Sequence, residues 1–267
     1  MKKPFRLELQ TDCIVPLPRM QENAERCSAP RVQMAPPHGR KLAIVGGGPL
    51  VAHDLPELQA WHGDVWGINH TAGWLVENGI DAMMVSVDPQ PWTPPANVRR
   101  ALLATCADPS VFEQLAGKDV KAFDLHETAL GGIFGGCTTA TRMPILALRM
   151  GYTDISFFGC EGSYSGDRDH VDRHNGEAME LIIRAGGNDY RCETGLLIQC
   201  QDFAAIFGTF GNFFKNRSGG LLKAMIENPD TWEIVAVSAA MRDHLEKVNG
   251  EIWKLALDEP YHLKEAA

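Results

Sequence analysis

Between Glu161 and His174 the sequence brings together Glu161, Asp167, Asp169, His170, Asp172 and His174. Carboxylates and imidazoles at such spacing could hold a divalent cation, orient a sugar hydroxyl or take a proton from an attacking hydroxyl. On a helix His170 and His174 would share one face, whereas on a loop the same residues form a solvated charged turn. A second carboxylate, Asp88 in Ser86-Val87-Asp88-Pro89, could bind Mg²⁺, hold a hydroxyl or cap its own turn. The remaining chemistry lies in glycine. Lys41-Leu42-Ala43-Ile44-Val45-Gly46-Gly47-Gly48-Pro49-Leu50 is an apolar run that breaks into three glycines and a proline. Backbone N–H groups in such a turn approach an anion unhindered by a Cβ. Farther on, Gly135-Gly136-Cys137-Thr138-Thr139 opens an apolar-periodic helix with capping threonines, a second place where amides could cradle a phosphate. Arg142, one turn into that helix, could pair with an anion or lie on a solvated face.

These residues need strands to carry them to a common edge. From Arg40 onward, short apolar runs alternate with helical segments, the pattern of an α/β, Rossmann-like protein with a parallel sheet and crossover helices on both faces. The expected strands are 41–45, 64–68, 82–87, 120–123, 155–158 and 233–237. Helices are expected over 55–61, 72–78, 97–106, 138–150, 176–185, 196–207, 220–227 and 239–248. In such a sheet, ligands sit beyond the carboxyl ends of the strands. There the reading places Gly46 to Pro49, Asn69, Asp88, Gly159 and Glu161. Residues 1–39 hold Pro4, Pro16, Pro18, Pro30, Pro36 and Pro37 and read as a Pro-rich arm of extended pieces, followed by one nucleotide-binding domain over 40–267. Phe203, Phe207, Phe210, Phe213 and Phe214 read as core or subunit interface, so a homo-oligomer is one expectation.

Composition narrows the partners. A formal charge of −9 argues against a nucleic-acid surface or an anionic membrane, which leaves a small-molecule ligand. Seven scattered cysteines without a C-x-x-C pair suggest neither a disulfide framework nor a cysteine zinc site. The first residues, Met1-Lys2-Lys3-Pro4, lack the apolar centre of a signal peptide, and no run reaches the ~20 apolar residues of a membrane span. The expectation is a cytoplasmic protein. An NAD or FAD enzyme fits poorly, because the third glycine of G-x-G-x-x-G is replaced by Val51 and Asn69 stands where a ribose-binding acid is wanted. The same asparagine weighs against an S-adenosylmethionine-dependent methyltransferase.

With these motifs in order, the chain resembles the 6-hydroxymethylpterin diphosphokinase-like family, which includes bacterial motility accessory factors. The resemblance rests on Ile44-Val45-Gly46-Gly47-Gly48-Pro49, Gly67-Ile68-Asn69, Val87-Asp88, Gly136-Cys137-Thr138-Thr139-Ala140-Thr141-Arg142, and Gly151 to Ile155 running into Phe158-Gly159-Cys160-Glu161-Gly162-Ser163-Tyr164. It covers about half of the chain. The family is related to bacterial sialyltransferases whose modified Rossmann domain binds a cytidine nucleotide. The resemblance implies a nucleotide held by Gly46, Gly47, Gly48, Pro49, Asn69, Gly136, Cys137, Thr138, Thr139, Gly159 and Glu161. Two departures stand out: Leu50 replaces a serine usual in the family, and Glu161 replaces a common aspartate.

Three functions follow as expectations. The first is a Mg²⁺-dependent transferase that moves diphosphate from a nucleoside triphosphate such as ATP to a small hydroxylated acceptor, with Asp88 and Glu161 on the metal and His170 as base. The second is a sialyltransferase-like glycosyltransferase using a CMP-sugar, with His170 or His174 deprotonating the acceptor. The third is a nucleotide-binding accessory protein without turnover.

Overall fold

The computed structural model describes residues 15–136, 138–166, 180–229 and 231–238. Helix α1 (Leu17–Arg26) precedes strand β1 (His38–Val45), and a 3-10 turn (Val51–Asp54) leads into the short helix α2 (Leu55–Gln59). Strand β2 (Asp64–Ile68), helix α3 (Thr71–Glu77), strands β3 (Ala82–Ser86) and β4 (Arg100–Ala104), helix α4 (Pro109–Gln114) and strand β5 (Asp119–Phe123) complete one half. The chain then crosses through helix α5 (Thr139–Arg149) to strand β6 (Tyr152–Phe158) on the far side of β1. A hairpin of β7 (Glu180–Ala185) and β8 (Asn188–Glu193) precedes helix α6 (Thr194–Phe210), β9 (Phe214–Asn216), helix α7 (Gly220–Glu227) and β10 (Glu233–Val237).

Seven strands form the central sheet in the order β5-β4-β3-β2-β1-β6-β9, every pair parallel. This is the α/β architecture expected from the alternating pattern. Along β1 the side chains divide between two layers, as the period of two in a strand requires. Leu42 and Ile44 join Met143 and Leu146 of α5, while Ala43 and Val45 join Leu58 of α2 and Leu75 of α3. All eight are fully buried. The chain runs outward from β1 to β5 and then returns to the other side of β1. Order therefore reverses between β1 and β6, the place where doubly wound sheets bind ligands.

Four local expectations are corrected. The span 97–106 is read as helix, but Arg100–Ala104 is strand β4, with Ala101, Leu102, Leu103 and Ala104 all buried. Alanine and leucine favour helix, yet a strand buried on both faces is apolar at every position, and here sheet pairing overrides propensity. The span 176–185 is also read as helix, whereas Glu180–Ala185 is strand β7. Leu181, Ile183 and Ala185 face the core and Arg184 faces out, a period of two rather than 3.6. β7 and β8 pair antiparallel, and β10 pairs antiparallel with β7, so 233–237 is a strand as expected but belongs to a second, three-stranded sheet. The N-terminal segment is not wholly extended: Leu17–Arg26 is helical, with Met20 in the core and Asn23 donating to the Cys106 carbonyl at 3.1 Å. Farther on, Ala122 donates to the Pro30 carbonyl and Val32 to that of Ala122, which covers the β5 edge. The helix expected over 239–248 lies outside the described residues.

The aromatic stretch is largely core. Phe157 of β6 meets Phe203, Phe207 and Phe214 at ring separations of 5.4–5.6 Å. No helix among the described residues is long and apolar enough to cross a membrane.

Candidate functional site

At the carboxyl ends of β1 and β6 the two strands continue into turns that press backbone against backbone. Gly46 donates to the Phe158 carbonyl and Gly48 to the Gly159 carbonyl, each at 2.8 Å. A Cβ on Gly46 would stand 3.0 Å from Cys160 Sγ and would overlap the Gly159 carbonyl, and Gly159 itself has φ +62°. The glycines are therefore required by packing as well as by any ligand. From the neighbouring strand β2 comes Asn69 in the left-handed region, φ +48°, a conformation asparagine tolerates better than most residues. Its amide donates to the Val85 carbonyl at 3.0 Å, and its Oδ1 is buried without a hydrogen-bond partner among the described residues.

Helix α5 begins at the same edge. Thr138 is its N-cap in a reciprocal box: Thr138 Oγ1 accepts from the Thr141 amide, and Thr141 Oγ1 accepts from the Thr138 amide. Thr139 Oγ1 accepts from the Val87 amide at 3.2 Å, tying the helix start to the end of β3. The Thr138 hydroxyl is thus committed to the helix, while the open donors of the first turn are amides. Gly136 takes φ +43° in the turn before the cap. Cys137 lies outside the described residues.

These pieces enclose a cavity of about 220 Å³. Gly46, Gly47, Gly48 and Pro49 form one side, with Ile68 and Asn69 beside them. Thr138, Thr139 and Ala140 face them from the start of α5, and Gly159, Cys160, Gly162 and Ser163 line the β6 side. Leu196 and Gln199 of α6 supply the last wall. The sequence reading misses these two residues. It finds the helix, but no spacing signal marks which of its faces meets the cavity. Gly162, φ +62°, lies against Cys200 Sγ, and this contact seats α6 on the β6 turn. Among the described lining residues there is no lysine or arginine.

Glu161 sits behind this wall rather than on it. It is 1% exposed, and neither carboxyl oxygen has a hydrogen-bond partner among the described residues. A Cβ on Gly48 would overlap its carboxyl, and its backbone carbonyl caps α7 by accepting from the Leu222 amide at 2.9 Å. Burial pushes its pKa up to about 7, with the Asp54 carboxylate adding to the rise and its own amide opposing it. Asp88 does not line the cavity. Its Oδ1 accepts from the Gln90 amide at 2.9 Å, an Asx turn that caps the end of β3. No group of three His, Cys, Asp or Glu residues able to hold a metal occurs among the described residues. His170 and His174 lie outside the described residues.

Arg142 is buried and turned away from the cavity. Its guanidinium forks onto both oxygens of Glu127 and donates to the carbonyls of Ile133 and Gly136 at 2.9 Å each.

With this geometry in hand, comparison with known proteins returns a fold. The chain is similar to the MAf glycosyltransferase from Magnetospirillum magneticum AMB-1. The TM-score is 0.59 and the sequence identity 17%, and the likeness covers 76% of this chain and 35% of that one. The chain thus spans about a third of the length of that structure. At this identity the likeness is one of fold. No family model matches the chain, and no curated protein matches it.

Of the residues expected at the site, the structure brings Gly46, Gly47, Gly48, Pro49, Asn69, Thr138, Thr139 and Gly159 to one cavity. Gly136 adjoins it through the α5 cap, whereas Glu161 and Asp88 stand outside its walls.

Proposed function

We propose that this chain is a nucleotide-dependent transferase that transfers a glycosyl group from a nucleoside-monophosphate sugar such as a CMP-sugar. The observation that carries this reading is the cavity at the β1/β6 switch point. Its walls are glycine backbone, neutral polar side chains and the start of an eleven-residue helix, with no described cationic side chain. Backbone amides and a helix start stabilise one phosphate well. A nucleoside-monophosphate sugar carries a single phosphate of that kind. The fold shared with a MAf glycosyltransferase supports the same direction. In this reading Asn69 and Gln199 face the nucleoside or the transferred sugar, and the α5 start faces the phosphate.

Diphosphate transfer from ATP with Mg²⁺ is the competing reaction. A thermal-shift and calorimetric screen against CMP, ATP and S-adenosylmethionine, with and without Mg²⁺, separates the two. Stabilisation by CMP without metal is the expected result, and a ligand at 100 times its dissociation constant adds about 2.7 kcal/mol. Stabilisation by ATP alone, and only with Mg²⁺, would replace the glycosyl reading with the diphosphate one. Release of CMP from a CMP-sugar on adding a hydroxylated acceptor then separates an enzyme from an accessory protein without turnover.

A further inference from the structure

The loop between β5 and α5 enters the site from outside the cavity, and one arginine gathers it. Arg142 Nε donates to the Gly136 carbonyl, its Nη1 to the Ile133 carbonyl and to Glu127, and its Nη2 to the other Glu127 oxygen. His126 Nδ1 lies 3.2 Å from the same Nη1. The guanidinium is thus nearly fully used, and the residue is 8% exposed. Partial burial raises the Glu127 carboxyl, but the Arg142 hydrogen bonds and charge, with its own backbone amide and His126, together hold its pKa below the ordinary value. A planar five-donor fork fits such a cluster of carbonyls and a carboxylate, and lysine does not.

What the cluster fixes is the approach to the α5 start. Gly136 precedes the cap with φ +43°, and its carbonyl is one of the atoms Arg142 holds. A Cβ on Gly136 would overlap the Thr141 hydroxyl and stand 2.7 Å from Asp202 Oδ2, so the loop has little room for another path. In the first turn, the Thr141 amide goes to Thr138 Oγ1 and the Arg142 amide to the Thr138 carbonyl. Among the described residues this leaves the amides of Thr139 and Ala140, two residues on the cavity wall, without an acceptor.

We infer that Arg142, through Glu127 and the carbonyls of Ile133 and Gly136, is a positioning residue that holds the β5–α5 loop so that the Thr139 and Ala140 amides stay open to the ligand's phosphate. This rests on the nucleotide reading above and adds to it. Arg142 does not touch the phosphate; it shapes the anion end of the cavity from behind.

The test compares wild type with Arg142→Lys and Glu127→Gln, using CMP and cytidine as probes and hydrogen exchange over residues 133–141 as a second readout. Arg142→Lys keeps the charge but loses the fork. It is expected to weaken CMP about tenfold while leaving cytidine unchanged, because the loss falls on the phosphate. Glu127→Gln keeps one acceptor oxygen and is expected to fall between wild type and Arg142→Lys. Exchange over 133–141 should quicken in the same order, with the β1 and β6 amides unchanged. If wild type binds CMP and Arg142→Lys binds it equally well, the positioning role is overturned and the nucleotide reading stands. An equal loss of CMP and cytidine would make Arg142 merely structural. If wild type binds neither probe, both the role and the reading fall.

Discussion

The carboxyl of Glu161 fills the space in which a Cβ on Gly48 would stand. The two residues come from different turns, one after β1 and one after β6; Gly48 lines the cavity and Glu161 packs behind it. Gly48→Ala must therefore displace a buried carboxyl as well as approach the Gly159 carbonyl. A destabilisation of about 1–3 kcal/mol is expected, the usual cost of overpacking. Glu161→Ala in the same chain should return part of it. Urea unfolding of both single variants and the double variant measures the coupling, and strictly additive losses would show that the contact carries no energy.

Glu161 also sets a pH dependence. Its carboxyl is raised in the folded protein to about 7 because burial removes the charge from water, and the nearby Asp54 carboxylate adds to the rise, more than its own amide offsets. A raised acid favours the protonated form, so its stabilising contribution is complete below the ordinary carboxylate range. That contribution is lost as pH rises through about 7. The full effect is on the order of 3 kcal/mol. Glu161→Gln, which cannot ionise, should lose less stability than wild type between pH 5 and pH 8.5. Parallel unfolding curves at the two pH values for both proteins would remove Glu161 as the cause.

Much of this arrangement is legible in the residues. Ile44-Val45-Gly46-Gly47-Gly48-Pro49 announces a buried strand breaking into a ligand-facing turn, and Thr138 announces a helix start. Both features meet at the switch point between β1 and β6. What sequence cannot reveal is distance across the chain. Glu161 follows a strand, as a ligand-binding carboxylate should, yet packing under Gly48 closes it off from the cavity. Arg142 has the spacing of a phosphate ligand, but Glu127 and two carbonyls claim it. Asp88 stands at the right edge and spends an oxygen on its own turn. Arg100–Ala104 and Glu180–Ala185 are misread for a related reason: leucine, isoleucine and alanine suit a buried helix and a buried strand alike, and only the neighbours decide.

The wall supplied by α6 depends on Gly162. Its φ of +62° and the Cys200 Sγ beside it leave no place for a side chain. Gly162→Ala should push α6 outward, carry Leu196 and Gln199 with it, and weaken nucleotide binding while costing roughly 1–2 kcal/mol for the left-handed backbone alone. Cys200→Ala relieves the clash but not the backbone strain. The double variant should therefore regain nucleotide affinity more fully than stability, as titration calorimetry and urea melts would show. Equal recovery of both would place the cost in the thiol contact.

Thr138 and Thr139 are adjacent hydroxyls with different duties. Thr138 Oγ1 closes the capping box with Thr141, whereas Thr139 Oγ1 accepts from Val87 and keeps its own hydrogen free to donate. Thr138→Val removes the cap with little change in volume and should cost about 1 kcal/mol of stability. Thr138→Ser keeps the hydroxyl and should cost little. Nucleotide affinity should follow stability through this pair, since the hydroxyl faces the helix and not the ligand. Thr139→Val also loses a bond to the Val87 amide, and it should lower affinity for CMP more than for cytidine, because its hydroxyl lies beside the open amides at the phosphate end. If Thr138→Val instead weakens CMP without lowering the melting temperature, the hydroxyl turns to the ligand in the complex. The box would then be a feature of the ligand-free protein alone.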